Sequence, residues 1–236
     1  MDFHDIDIVY EDNHLLVVVK PAGVPSQADE EGDDDMVTLL KRYREENEGK
    51  KGEAYIGLVH RLDRPTGGVM VFAKTSKAAA RLSESIRNGD FEKVYLCTVC
   101  NPPEPPQGEL RNYLKKNERT NNVSVVPMTT AGAKEAILQY KTLETKQGFA
   151  LLRVKLETGR SHQIRVQLSH IGSPLFGDRR YGGNPATFKH QLGLWATRIS
   201  FTHPTLEQRM TFLVYPPIVS PWKAFNVPIY LNGFSF

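Results

Sequence analysis

The sequence predicts an α+β fold, a mixed and largely antiparallel sheet with flanking helices. Short runs rich in β-branched residues recur along the chain, and polar turns between them are tight enough for hairpins. Apolar residues at helical spacing are confined to isolated segments between those runs. With 236 residues, 40% hydrophobic and 24% charged, the chain reads as globular and soluble, and suffices for one large domain or two small ones.

The elements follow in order. Ile6 to Glu11 and Leu15 to Lys20, joined by Asp12-Asn13-His14, predict an opening hairpin. Lys20-Pro21-Ala22-Gly23-Val24-Pro25 then turns sharply, as Pro and Gly favour. The stretch Asp29-Glu30-Glu31-Gly32-Asp33-Asp34-Asp35 repels phosphate. Asp34 or Asp35 can cap a helix over Met36 to Asn47, with Val37, Leu40 and Tyr43 at near-helical spacing and Gly49-Lys50-Lys51-Gly52 closing it.

Residues 56 to 74 organise the chain. Two strand-like runs flank His60-Arg61-Leu62-Asp63-Arg64-Pro65-Thr66-Gly67-Gly68, a polar loop with Pro65 and the glycine pair as breakers. One carboxylate, Asp63, stands between two guanidiniums, Arg61 and Arg64, which favour its ionised form. Such a carboxylate suits a nucleophile or a phosphate-facing site, although an Asp beside Arg is more often a surface ion pair.

Thr75 or Ser76 caps a helix through Arg87, with Ala79, Leu82 and Ile86 on one face and Gly89 at its end. Phe91 to Cys100 reads as a strand on which Tyr95, Cys97 and Val99 share a face. Cys97 and Cys100 spell C-x-x-C with no further ligands at zinc spacing, so they read as reduced structural thiols. After the stiff Asn101-to-Pro106 connection, Leu110 to Leu114, Asn122 to Pro127, Ala136 to Leu143 and Ala150 to Leu156 read as strands in hairpins. Lys115, Lys116 and Arg119 in the first of these loops suit either an RNA backbone or plain solvent.

A second dense stretch is Leu156-Glu157-Thr158-Gly159-Arg160-Ser161-His162-Gln163-Ile164-Arg165-Val166-Gln167-Leu168. Gly159 permits a turn, and Ser161 can cap a helix striped by Ile164, Leu168 and Ile171 and ended by Gly172. This carries Arg160, His162 and Arg165 towards a helix N-terminus, a place suited to a phosphate or an essential carboxylate. Gln208 to Val214 reads as a last strand, and Pro216 to Phe236 receives no assignment.

Charge distribution says more than the net +3. Residues 1 to 50 carry 5 Lys/Arg against 14 Asp/Glu, whereas residues 151 to 200 carry 8 against 2. The second bias suits nucleic acid, or both are solvated faces. The acidic N-terminus lacks a secretory signal and no long apolar run is present, so a cytoplasmic protein without a membrane partner is expected.

The loop from His60 to Gly68 resembles the signature of the RluA family of pseudouridine synthases, with Gly67 where many members carry Ser. Lys20-Pro21-Ala22-Gly23 is similar to the family's first motif and Arg160 to Arg165 to its third. Gly172 to Gly182, Leu194-Trp195-Ala196 and Phe201-Thr202-His203-Pro204 continue the likeness, which runs from about Ile6 to Val214.

The resemblance implies one catalytic domain over residues 1 to 236, without the S4-type RNA-binding domain of many relatives. It implies Asp63 as catalytic carboxylate, Tyr95 stacking on the target base, and Arg165 pairing with Asp63. Arg61, Arg64, Arg160 and His162 would bind substrate, and Leu194 would line the uracil pocket. The implied activity isomerises uridine in ribosomal or transfer RNA without metal or cofactor, in a monomer. Asp63 would attack the ribose anomeric carbon or remove the neighbouring 2′ proton, and in either case the bond to N1 breaks.

Two readings compete. An RNA-binding or chaperone module that has lost chemistry would be expected to lose Asp63, which is present with Tyr95 and Arg165. A zinc deaminase needs H-x-E, and none of the 7 His residues is followed by Glu at the second position.

Overall fold

A computed structural model describes residues 1–29, 32–49 and 54–232. The chain forms two compact units, one of residues 1–92 and 196–214, the other of residues 93–195 and 215–236. The fold is α+β, and the pairings described below with a residue register are all antiparallel.

In the first unit β1 (Ile8–Glu11) and β2 (Leu15–Lys20) form the expected hairpin. Its turn is held by Asp12, whose Oδ1 accepts from the backbone of His14 and Leu15, both at 2.7 Å. β3 (Gly57–Leu58) is shorter than the apolar run suggests and pairs with the end of β4 (Gly67–Ala73). β2 lies against β4 with Val18 opposite Met70 and Lys20 opposite Gly68. Leu15 to Val18 and all of β4 are buried, so these strands read as unbroken apolar runs covered on both faces.

Gly67 and Gly68 are the first residues of β4 and not loop breakers. A Cβ on Gly68 would stand 2.2 Å from the carbonyl oxygen of Ala196, and its φ is +127°. Only glycine lets the two backbones approach so closely. Ala196 belongs to β10 (Leu194–Thr202), which the sequence shows only as separate motifs, and β11 (Arg209–Leu213) pairs with it.

Two helices complete this unit. α1 (Met36–Asn47) is capped by Asp35, whose Oδ1 accepts from Val37 and Thr38. Its buried face is Met36, Leu39, Leu40 and Arg44, turned from the expected Val37–Leu40–Tyr43 stripe. The proposed closure at Gly49 to Gly52 lies mostly outside the described residues, as do Glu30 and Glu31. α2 (Ser76–Arg87) is capped by Thr75 and ends before Gly89 at φ +81°.

In the second unit the strand order is β5 (Glu92–Val99), β9 (Phe149–Leu156), β8 (Lys134–Lys146), β6 (Gln107–Asn117) and β7 (Asn122–Val126); Glu92 itself belongs to the first unit. The predicted hairpins are present; β6, β8 and β9 run longer than predicted, and β7 ends one residue short of Pro127. Leu114, Val123, Ala136 and Val166 form a buried cluster that joins the β6–β7 ribbon to α3 (Gln163–His170), with Val125 and Tyr181 against it. Within the unassigned C-terminal stretch, among the described residues, Trp222 is buried, α4 (Val227–Leu231) follows, and Lys146 Nζ donates to the Ala224 carbonyl at 3.1 Å.

Cys97 and Cys100 are free thiols, and burial pushes the Cys97 thiol well up. Among the described residues no helix is long and apolar enough to cross a membrane.

Candidate active site

Asp63 is half-buried in the loop between β3 and β4, and the backbone on either side of it is pinned. The buried Ser26 hydroxyl donates to the Leu62 carbonyl at 2.8 Å and accepts the Leu62 N–H at 3.1 Å. On the other side, the Arg64 carbonyl accepts from Gly23 N at 2.8 Å and from Lys20 Nζ at 3.2 Å. Thr66 N donates to the Asp63 carbonyl at 2.9 Å and closes the turn. His60 accepts the Val71 N–H at Nε2, 3.1 Å, which puts the ring proton on Nδ1, and its ring packs on Phe91 at 5.3 Å.

Lys20 has no exposed surface. Its ammonium also donates to the carbonyls of Pro21 at 2.9 Å and Val24 at 2.5 Å, so it fills the hollow of its own turn. Burial draws its pKa down to about 7, the Asp63 carboxylate pulls it up, and the Arg64 charge lowers it further. The sequence shows Lys20 at the start of a turn and of the stretch that resembles the family's first motif. Nothing local announces a buried ammonium beside Asp63.

The flanking guanidiniums behave differently from each other. Arg61 is exposed. Arg64 bonds the carboxylates of Asp29, at 3.2 Å, and Asp33, and its Nε donates to the Gly23 carbonyl at 3.1 Å. The acidic stretch that repels phosphate is therefore tied to an arginine of the Asp63 loop.

In the second unit Tyr95 is buried on β5 opposite Val154. Leu194 is buried at the head of β10, where backbone bonds join Thr98 to Gly193, Gly193 to Phe176 and Phe176 to Thr98 at 2.8–2.9 Å. Arg160 is exposed and its Nε donates to the Glu135 carbonyl at 2.8 Å.

The start of α3 departs from expectation. His162, not Ser161, takes the N-cap position, in the left-handed region at φ 52°, and its side chain makes no capping bond. Gln163 organises the loop instead, its Oε1 accepting from Arg160 N at 3.0 Å and Thr158 Oγ1 at 2.8 Å. Gly159 has no positive φ; a Cβ there would come within 3.1 Å of Lys93 Nζ. Ile171 is 38% exposed and lies outside the buried stripe.

Arg165 is buried and forms a bidentate pair with Asp178, Nε to Oδ2 and Nη2 to Oδ1, each 2.8 Å. Its guanidinium carbon lies 5.1 Å from the centre of the Tyr181 ring. The Tyr181 hydroxyl bonds His162 Nδ1 at 2.6 Å and accepts from Val123 N at 3.0 Å. Sequence reasoning missed Asp178 and Tyr181; the only signal was their place in Gly177-Asp178-Arg179-Arg180-Tyr181-Gly182.

The chain that carries the pinned Asp63 loop and the Arg165-bearing helix has known relatives. The sequence profile described as RNA pseudouridylate synthase matches residues 14–170, and the chain belongs to that family. It is 30% identical over 209 residues to the uncharacterized RNA pseudouridine synthase YhcT of Bacillus subtilis, covering 88% of this chain and 67% of that protein. It is 36% identical over 182 residues to ribosomal large subunit pseudouridine synthase D of Yersinia pestis, covering 76% and 54%. The chain thus spans about half to two thirds of the length of these curated relatives. The solved structure of human RNA Pseudouridylate Synthase Domain Containing 4 superposes with a TM-score of 0.74 at 25% identity, covering 89% of this chain and 88% of that one.

Proposed function

We propose that this chain isomerises uridine in RNA to pseudouridine, with Asp63 as the catalytic carboxylate and residues 1 to 236 acting as one catalytic domain. The observation that carries the reading is the grip on the Asp63 loop. A carboxylate with fixed main chain on both sides, beside a buried ammonium, is held ready for reaction without ordering at each turnover. Family membership supports the reaction class.

Tyr95 stacks on the uracil, Arg165 serves the catalytic carboxylate, and Leu194 lines the pocket. Arg61, Arg64, Arg160 and His162 contact the flanking RNA. The target uridine leaves its stack at a cost of about a few kcal/mol. The bond from C1′ to N1 breaks and a bond from C1′ to C5 forms. C5 gives up one proton and N1 ends with one, so the product is an isomer and no electron or group donor is consumed. The chain acts in the cytoplasm as a monomer. Large-subunit ribosomal RNA is the first substrate to try, because relatives carry that name, and transfer RNA is the second.

Unmodified transcripts of both RNAs, labelled with tritium at C5 of uridine, test the reading. The chain should release tritium stoichiometrically with pseudouridine from at least one of them. Binding without any release would leave an RNA-binding module and overturn the proposal.

A further inference from the structure

The buried surroundings of Arg165 contain chemistry that the reaction above does not use. The side chain of Asp178 has no exposed surface, yet its carboxylate is fully engaged: Oδ2 takes Arg165 Nε, and Oδ1 takes Arg165 Nη2 and the backbone N–H groups of Arg180, at 3.0 Å, and Tyr181, at 3.1 Å. Tyr181 is itself fixed, by its hydroxyl to His162 and Val123 and by its carbonyl, which accepts from Ser169 Oγ at 2.5 Å.

We propose that Asp178 and Tyr181 are positioning residues for Arg165, the carboxylate locking one edge of the guanidinium and the aromatic ring, 5.1 Å from its central carbon, bounding it on another side. A buried ion pair is a poor device for stability, since two apolar side chains of similar volume would serve as well. It is a good device for direction. Two parallel N–H···O bonds permit one guanidinium plane, and a ring close beside the guanidinium limits the remaining swing. Burial works against charge on Asp178, but the Arg165 guanidinium and the N–H groups of Arg180 and Tyr181 outweigh it and hold the carboxyl below its ordinary range. The lock therefore stays ionised through neutral pH. This inference rests on the reading that Arg165 takes part in the reaction.

The experiment is a double-mutant cycle on the full chain, read by single-turnover pseudouridine formation with RNA affinity and melting temperature measured alongside. Asp178→Asn keeps shape and an acceptor for the backbone donors but loses the charged fork. Arg165→Lys keeps the charge but loses the two-pronged contact. Each should slow the chemical step about ten- to a hundredfold with affinity changed less than about threefold. The double variant should be no slower than the worse single, because both remove one geometry.

A second pair of variants guards against loss of folding at Asp178. Tyr181→Leu should slow the step, while Tyr181→Phe, which keeps the ring, should restore most of the rate. If Arg165→Lys slows the reaction but Asp178→Asn does not, or if the two losses multiply, the positioning role is wrong and the proposed function stands. If Arg165→Lys reacts at the parental rate, the assignment of Arg165 itself falls, and this inference with it.

Discussion

The Ser26 hydroxyl both donates to and accepts from the main chain of Leu62, standing in for a strand partner that the loop does not have. Ser26→Ala leaves a buried carbonyl and a buried N–H without that partner, at a cost of about 1–3 kcal/mol. A melting curve should show that loss, and the pseudouridine rate should fall by more than the folded fraction does, because the freed peptide adjoins Asp63. Lys20 gives a second prediction. The folded chain releases its proton near pH 7 and the unfolded chain near the ordinary 10.5, so unfolding takes up a proton between those values and stability rises with pH across the interval. Melting temperatures of the parent and Lys20→Met should therefore diverge in the parent's favour from pH 7 to pH 9. A difference constant with pH would contradict this. The loop that carries Asp63, between β3 and β4, was legible because its motif is long and local. Lys20 and Asp178 were not, because burial and a partner 13 residues away, as for Arg165 with Asp178, are facts of the folded chain.

At the scale of elements, the strands from β6 to β9 were legible because the hairpin period survives in sequence, whereas β10 showed only as scattered motifs. The start of α3 misled because Ser161 is the better capping residue by type, yet Gln163 has already satisfied the loop's donors and leaves His162 in the left-handed position. Gly68 looked like a breaker and is a strand residue where two backbones nearly touch. Gly68→Ala should cost at least about 3 kcal/mol, from strain in a conformation that alanine rarely adopts and from displacement of β10, as read by urea unfolding. A variant as stable as the parent would show that the approach can open cheaply.

For the whole molecule, charge is divided along the chain, and the segment from residue 151 to 200 carries the basic excess. Arg160, Arg179 and Arg180 within it are exposed. If phosphate contacts supply much of the affinity, RNA binding should weaken steeply and linearly on a logarithmic salt scale; a flat titration would mean that this surface does not bind RNA. The acid-rich N-terminal segment was expected to avoid RNA, and its Asp29 and Asp33 are instead bound to Arg64. Narrower than any of these is the proposed role of Asp63 as the reacting carboxylate in a loop built to hold it. The most direct measurement is nucleoside analysis by mass spectrometry of RNA treated with Asp63→Asn, alongside its melting temperature and RNA affinity. The expected outcome is parental folding and binding with no pseudouridine formed. Pseudouridine at the parental yield would contradict it.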